Sequence, residues 1–181
     1  MGRCIALLRG INVGGRNKVA MADLRRLCEC LGHGEVRTHG QSGNVVFTTD
    51  RADTDTLGAE MTARIDDDLG VAPTVVVLSA DQLAAVVAGN PFADAAAADP
   101  TKVHAAFLSA RPSDPSVFDF DPATYAPEEA RAGERVLYLH LPGGMGRSQL
   151  AADLARRRSD VEVTVRNWRT VTRLHAMAHE E

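Results

Sequence analysis

Cys4-Ile5-Ala6-Leu7-Leu8-Arg9-Gly10-Ile11-Asn12-Val13-Gly14-Gly15-Arg16-Asn17-Lys18 is an apolar run that empties into a glycine-rich loop. Five apolar residues without alternation read as a central strand, buried on both faces. The loop carries Arg9, Arg16, Lys18 and two asparagine amides, and no acid. Glycine lets backbone N–H groups approach a ligand, and loops on a rigid strand are where function usually sits.

Downstream, Met21, Leu24, Leu27, Cys28 and Leu31 recur at helical spacing, and Gly32 stops that helix. Glu35–Thr38 and Asn44–Thr49 read as short strands joined by the turn Gly40-Gln41-Ser42-Gly43. Leu57, Met61, Ile65 and Leu69 mark a second amphipathic helix ended by Gly70, and Thr74–Leu78 is again a continuous apolar strand. The order β-α-β-β-α-β is the ferredoxin-like split motif.

The second half repeats the pattern in part. Ser79 and Gln82 form a capping box for a helix that Asn90-Pro91-Phe92 ends. Val103–Leu108 and Val136–Leu141 read as strands, Gln149–Arg158 as a helix and Val161–Val165 as a strand. Arg111–Gly133 is rich in proline and acid, with a weak helix signal near Pro115–Phe118. Asn167 caps a last helix whose Trp168, Val171, Leu174 and Met177 share a face. The expected fold class is α/β (α+β), with two ferredoxin-like β-α-β-β-α-β halves packed together. The expected division is 1–80 for the first half, 81–100 for a connecting helix and loop, and 101–181 for the second half with its terminal helix.

Composition excludes several classes. With 45% hydrophobic and 24% charged residues, the chain is an ordinary globular one. No apolar run approaches the ~20 residues of a membrane span, and the N-terminus lacks a signal peptide's order, so a cytoplasmic protein without membrane attachment is expected. Three cysteines, an odd count, point to reduced thiols, and Cys28 and Cys30 face apart on their helix. His175 and His179 are four apart on the last helix, with no acid between them, and make no zinc site. No metal site and no complete cofactor fingerprint is legible, and the cofactor is unknown.

The net charge of −4 is segregated. Gly2–Ala22 holds four cations and no acid, Gly146–Arg173 holds seven arginines against three acids, and Ser113–Glu134 holds six acids. Such a balance suits a small anionic ligand better than a long polyanion. The spacing Gly10-x4-Gly15 resembles a P-loop, but Arg16-Asn17 stands where Lys and Ser or Thr are required.

Topology then assembles two candidate sites. In a β-α-β-β-α-β sheet the first two strands run parallel, so the Arg9–Lys18 loop and the Gln41–Asn44 turn leave from one sheet end. Arg9, Asn12, Gly14, Gly15, Lys18, Gln41, Ser42 and Asn44 are the expected ligand-binding residues. In the second half the same logic brings Arg147 and Ser148 toward Arg166 and Asn167, beside helix N-termini that favour anions.

Five stretches appear in order: Arg9-Gly10-Ile11-Asn12-Val13-Gly14-Gly15, Gln41-Ser42-Gly43-Asn44-Val45-Val46-Phe47, Asn90-Pro91-Phe92, Gly146-Arg147-Ser148 and Arg166-Asn167-Trp168-Arg169-Thr170-Val171. Together they resemble the bacterial domain-of-unknown-function 1697 family over nearly the whole chain. The resemblance implies an α/β fold with ferredoxin-like parts and brings no activity, cofactor or catalytic residue. Gly32-His33-Gly34 and His39-Gly40 depart from it, standing where an aromatic and a longer apolar residue are expected.

Three function classes follow. The first is a binder of a small anionic or nucleotide-type ligand at the opening loop, with or without catalysis. The second is a self-associating structural or regulatory module, a homodimer for example, using open sheet edges. The third is a nucleic-acid-binding module, disfavoured by the acidic balance and the 4% aromatics. The sequence does not decide whether the protein is an enzyme.

Overall fold

Eight strands and seven α-helices are found among residues 1–180, which the computed structural model describes. The fold is mixed α+β with two four-stranded antiparallel sheets. The chain divides into two compact units, Met1–Ala85 with the last residues from Leu174, and Val86–Arg173.

In the first unit the elements are β1 (Gly2–Arg9), α1 (Met21–Cys30), β2 (Gly34–His39), β3 (Asn44–Thr49), α2 (Thr54–Leu69) and β4 (Thr74–Ser79). The strand order is β2-β3-β1-β4, every neighbouring pair antiparallel. This is the expected ferredoxin-like arrangement, with β1 and β2 pointing the same way. Period-two alternation sends Cys4, Ala6, Leu8, Val45 and Phe47 into a core with Leu24, Leu27, Leu57, Met61 and Ile65 of the helices. Gly58 sits inside α2 at an ordinary helix's cost because a Cβ there would lie 2.7 Å from the Val75 carbonyl oxygen, so the helix packs directly on the β4 backbone.

The opposite face, Ile5, Leu7, Val46, Val76 and Leu78, is also buried. The last turn of the C-terminal helix, which belongs to this unit, is fastened on that side. Arg37 donates to the Met177 carbonyl at 2.5 Å and pairs with Glu180 at 2.9 Å, while Arg3 donates to the Ala178 and Glu180 carbonyls. These bonds satisfy carbonyls that a helix end leaves without partners. His33 occupies one departure from the family pattern, and its ring packs on Phe47 at 4.5 Å between centroids.

The remaining elements are α3 (Ala80–Ala88), α4 (Ala93–Ala98), β5 (Val103–Leu108), α5 (Pro122–Tyr125), β6 (Glu129–Ala132), β7 (Val136–His140), α6 (Gln149–Arg156), β8 (Val163–Asn167) and α7 (Trp168–His179). The second sheet has order β6-β7-β5-β8, the same topology as the first. The capping box at α3 is formed in both directions, Ser79 N to Gln82 Oε1 at 2.8 Å and Gln82 N to Ser79 Oγ at 3.1 Å. Asn167 caps α7 through the Thr170 N–H.

The short helices α4 and α5 were not expected, and three further differences have physical causes. β6 was not legible because Glu129-Ala130-Arg131-Ala132 is a four-residue edge strand whose apolar face is only Ala130, packed on the core, and Ala132, too short and too weakly apolar a pattern to mark a strand. The helix expected through Arg158 stops at Arg156, because Arg157 turns away to donate to the Val117 and Asp119 carbonyls and stacks 3.9 Å from the Phe120 ring centroid. The last strand is Val163–Asn167 rather than Val161–Val165, since pairing with β5 from Leu108–Val163 to His104–Asn167 sets its limits. The acid-rich Ser113–Glu134 stretch carries helix caps: Asp114 accepts from Ser116 N and Asp121 from Ala123 N.

His104 lies on β5, 5% exposed, and its Nδ1 has no hydrogen-bond partner. Burial, then the nearby Lys102 charge, lowers its pKa below the ordinary 6.5. Below about pH 6.5 the unfolded chain therefore binds a proton that the folded chain resists, so this histidine makes stability fall as pH drops through that region. Urea unfolding between pH 8 and pH 5 should show this loss, and His104→Leu should flatten it; an unchanged pH slope in the variant would show that His104 does not contribute. His33 and His175, also lowered chiefly by burial, act in the same direction.

Among the described residues, no helix is long and apolar enough to cross a membrane, and no cluster of three or more metal-ligating side chains occurs.

Candidate functional site

The opening loop is a miniature hairpin. Arg16 N donates to the Val13 carbonyl at 3.0 Å and Asn12 N to the Asn17 carbonyl at 3.0 Å. Gly14 and Gly15 form the two-residue turn with φ of +58° and +75°, the positive pair that a type I′ turn requires. Asn12 and Asn17 flank it, also in the left-handed region at +53° and +50°, a conformation asparagine tolerates. Val13 stands at the tip, 69% exposed.

Asn12 staples this hairpin to its surroundings. Its Oδ1 accepts from Val19 N at 2.9 Å, and its Nδ2 donates to the Val19 carbonyl at 2.9 Å and the Gln41 carbonyl at 2.8 Å. Asn17 Nδ2 reaches back to the Gly10 carbonyl at 2.8 Å. Leu8 N donates to the Gly43 carbonyl at 2.8 Å. The loop after β1 and the turn after β2 are thus joined directly, as parallel strands require.

The expected ligand-binding residues divide by role. Arg9, Lys18, Gln41 and Ser42 are exposed at this end of the sheet, and so is Arg16. Asn12 is half-buried, with both amide hydrogens on backbone carbonyls. Asn44 is 1% exposed, and its Nδ2 donates to the His39 carbonyl at 2.9 Å and to Ser42 Oγ at 3.1 Å. The two asparagines shape the site, and Gly14 and Gly15 turn it; the cations and the Gln41-Ser42 tip face solvent. Residues 36–49, like 2–22, contain no acid. The acids that return to this end belong to the helix layer: Asp23 in the first turn of α1, which pairs with Arg26 at 2.9 Å, and Asp66, Asp67 and Asp68 in the last turn of α2, where Arg64 pairs with Asp68 at 2.7 Å.

The second candidate set is not gathered in the same way. Ser148 Oγ caps α6 by accepting from Ala151 N at 2.8 Å, and Glu128 Oε2 accepts from Leu150 N at 2.9 Å. A carboxylate of the chain itself therefore occupies the anion-favouring N-terminus of that helix. Arg147 is exposed beside it. Arg166 stands opposite Ala105, so its side chain leaves the sheet on the face away from the α6 core, which contains Ala106 and Leu150. Ser148 and Arg166 are thus placed on opposite faces. Burial lowers the Arg166 pKa to about 10. Asn167 is engaged as the α7 cap.

Sequence reasoning missed the hairpin inside the loop. Its signal was Gly14-Gly15 between two asparagines, but strands of two residues leave no periodicity. Cys28 and Cys30 face apart as expected: Cys28 is buried, with burial pushing its pKa up to about 12, and Cys30 is exposed.

A solved structure of a conserved bacterial protein, SP0830 from Streptococcus pneumoniae, is similar to this chain with a TM-score of 0.70 and 22% identity over 98% of each chain. That likeness is one of fold. Comparison with curated proteins finds no match. The model of a family described as "Protein of unknown function (DUF1697)" matches residues 1–138, where the stapled loop, the Gln41–Phe47 turn and strand and the Asn90-Pro91-Phe92 break all lie; the chain belongs to that family.

Proposed function

We propose that the first unit binds a small anionic or nucleotide-type ligand at the Arg9–Lys18 hairpin and the Gln41–Asn44 turn. One observation carries the reading: the Asn12 amide ties two acid-free segments together at one sheet end, so Arg9, Arg16 and Lys18 are presented on a fixed frame. Holding cations and backbone N–H groups in place before a ligand arrives lowers the ordering cost of binding. A phosphate or carboxylate there would take charge-assisted hydrogen bonds, each worth about 1.5–3 kcal/mol.

The two alternatives have less support. RNA-binding ferredoxin-like sheets stack bases on an open face, whereas Ile5, Leu7, Val46 and Val76 are all buried. Edge pairing through β2 is opposed by a register shift between Gly34 and Arg37 and by a φ of +47° at Glu35, a bulge of the kind that blunts edges.

The test is a thermal-shift titration at constant ionic strength with inorganic phosphate, pyrophosphate, ATP and citrate. At least one should stabilise the wild type saturably, and Arg9→Ala and Lys18→Ala should each weaken it about tenfold or more, given the hydrogen bonds lost. Absence of stabilisation by every anion, or equal affinity in both variants, would overturn the reading. Unfolding of Arg9→Ala in the absence of ligand would assign that guanidinium to the frame instead.

A further inference from the structure

We infer that the second unit carries a separate binding groove for a small zwitterion with an apolar side chain, of the class of free branched-chain or aromatic α-amino acids. The groove is an open cavity of about 260 Å³ between the Arg111–Phe118 segment and the β6–β7 hairpin. Its floor is apolar, formed by Leu108, Phe118, Val136 and Leu137. Pro112 and Pro115 line one wall, and Ala132 and Gly133 line the other.

Both walls are anchored without a ligand. Ser113 N donates to the Asp160 carboxylate at 3.0 Å, and the Asp114 carboxylate accepts from Ser116 N at 3.0 Å. Across the groove, Gly133 N donates to the Val136 carbonyl at 2.7 Å, and Leu108 N ties to the Arg135 carbonyl at 3.0 Å. Two prolines in fixed φ add stiffness. The cavity is therefore preformed, and its volume lies under the ~300–1,000 Å³ of drug-sized sites, which restricts the occupant to a small molecule.

The mouth selects the charge. Arg111 projects from one wall and Glu134 from the other, and they pair across the opening, 70% and 73% exposed. An exposed pair of this kind is weakly held and can exchange partners. A simple anion at Arg111 would leave Glu134 beside a like charge, and a simple cation at Glu134 would leave Arg111 so. A zwitterion exchanges one ion pair for two: its carboxylate goes to Arg111, its ammonium to Glu134. Its apolar side chain then reaches the floor, where burial supplies the favourable term.

An amide-shift NMR titration of the full chain with L-leucine and L-phenylalanine tests this. Saturable shifts at Leu108, Phe118, Val136 and Leu137 are expected for at least one of them. 4-Methylpentanoate and 3-methylbutylamine, leucine without its ammonium or its carboxylate, should each bind about two- to fivefold more weakly, as befits exposed ion pairs, and L-serine, which lacks the apolar body, at least about tenfold more weakly. Arg111→Met and Glu134→Gln should each weaken the amino acid about two- to fivefold while the unliganded melting temperature stays at the wild-type value. Ala132→Trp, which fills the groove without touching the charges, should abolish binding. No saturable shift at tens of millimolar amino acid overturns the inference. So does equal binding of 4-methylpentanoate, or unchanged affinity in both charge variants.

Discussion

Gly43→Ala is expected to destabilise the protein by about 2–5 kcal/mol, combining the cost of a left-handed alanine with that of overpacking. Gly43 has φ +76°, and a Cβ there would lie 2.6 Å from Leu8 Cβ and 2.8 Å from Ile11 Cδ1. Leu8 and Ile11 are 1% and 2% exposed, so neither can swing into solvent without opening the core. The substitution also pushes the turn away from β1, where the Gly43 carbonyl accepts from Leu8 N. Against a typical total of about 5–15 kcal/mol this is a large fraction. Gly40→Ala is the control. Gly40 also has positive φ, +65°, but open space around the added carbon, so it should lose only the conformational part, about 1–2 kcal/mol. Urea midpoints of the two variants separate the terms. Equal losses would mean that the Leu8–Ile11 contact relaxes freely.

Asn12→Ala should cost about 4–5 kcal/mol: three hydrogen bonds at about 1 kcal/mol net each, with about 1–2 kcal/mol of added strain for alanine in the left-handed region. Asn12→Asp isolates the hydrogen bonds from shape. Aspartate tolerates the same backbone angles and keeps an acceptor for Val19 N, but it sets a carboxylate oxygen where Nδ2 now donates to the Val19 and Gln41 carbonyls. At neutral pH this variant should lose as much stability as Asn12→Ala. Native-state hydrogen exchange should quicken at Arg16 and Val19, while amides of β5 and β7 in the other sheet keep their wild-type rates. If Asn12→Asp were as stable as wild type, the staple would be dispensable, and the frame argued for the anion site would lose its main support. Loss of anion stabilisation in Asn12→Asp, with Arg9 and Lys18 intact, is the expected functional counterpart.

The fold class was legible because the core is written in short, unmixed apolar runs. Cys4–Leu8, Val45–Phe47 and Val75–Leu78 have to be buried on two faces, and Leu24, Leu57, Met61 and Ile65 recur at helical spacing. A right-handed crossover then leaves little choice of strand order. The convergence of the Arg9–Lys18 loop with the Gln41–Asn44 turn followed from that order alone. Capping residues Ser79, Gln82 and Asn167 were legible for a local reason: a helix start needs acceptors at fixed offsets.

What the sequence did not carry depends on partners distant in the chain. β6 is a strand because β7 hydrogen-bonds it; an alternation of four residues whose apolar members are two alanines is too brief to mark one. α6 ends at Arg156 because carbonyls almost forty residues earlier take the Arg157 guanidinium. Asn12 and Asn44 are expected among the ligand contacts; the positions of the Gln41, Val19 and His39 carbonyls give their amides backbone partners that spacing does not show. Arg166 and Ser148 looked like neighbours at one strand end, yet the alternation of β8 against β5 sends them to opposite faces. Local propensity and periodicity, set by residues a few positions apart, thus determined the elements and their order. Which polar side chain faces a ligand and which holds the frame was decided by tertiary structure, because a hydrogen bond depends on a partner's place in space and sequence spacing does not encode it.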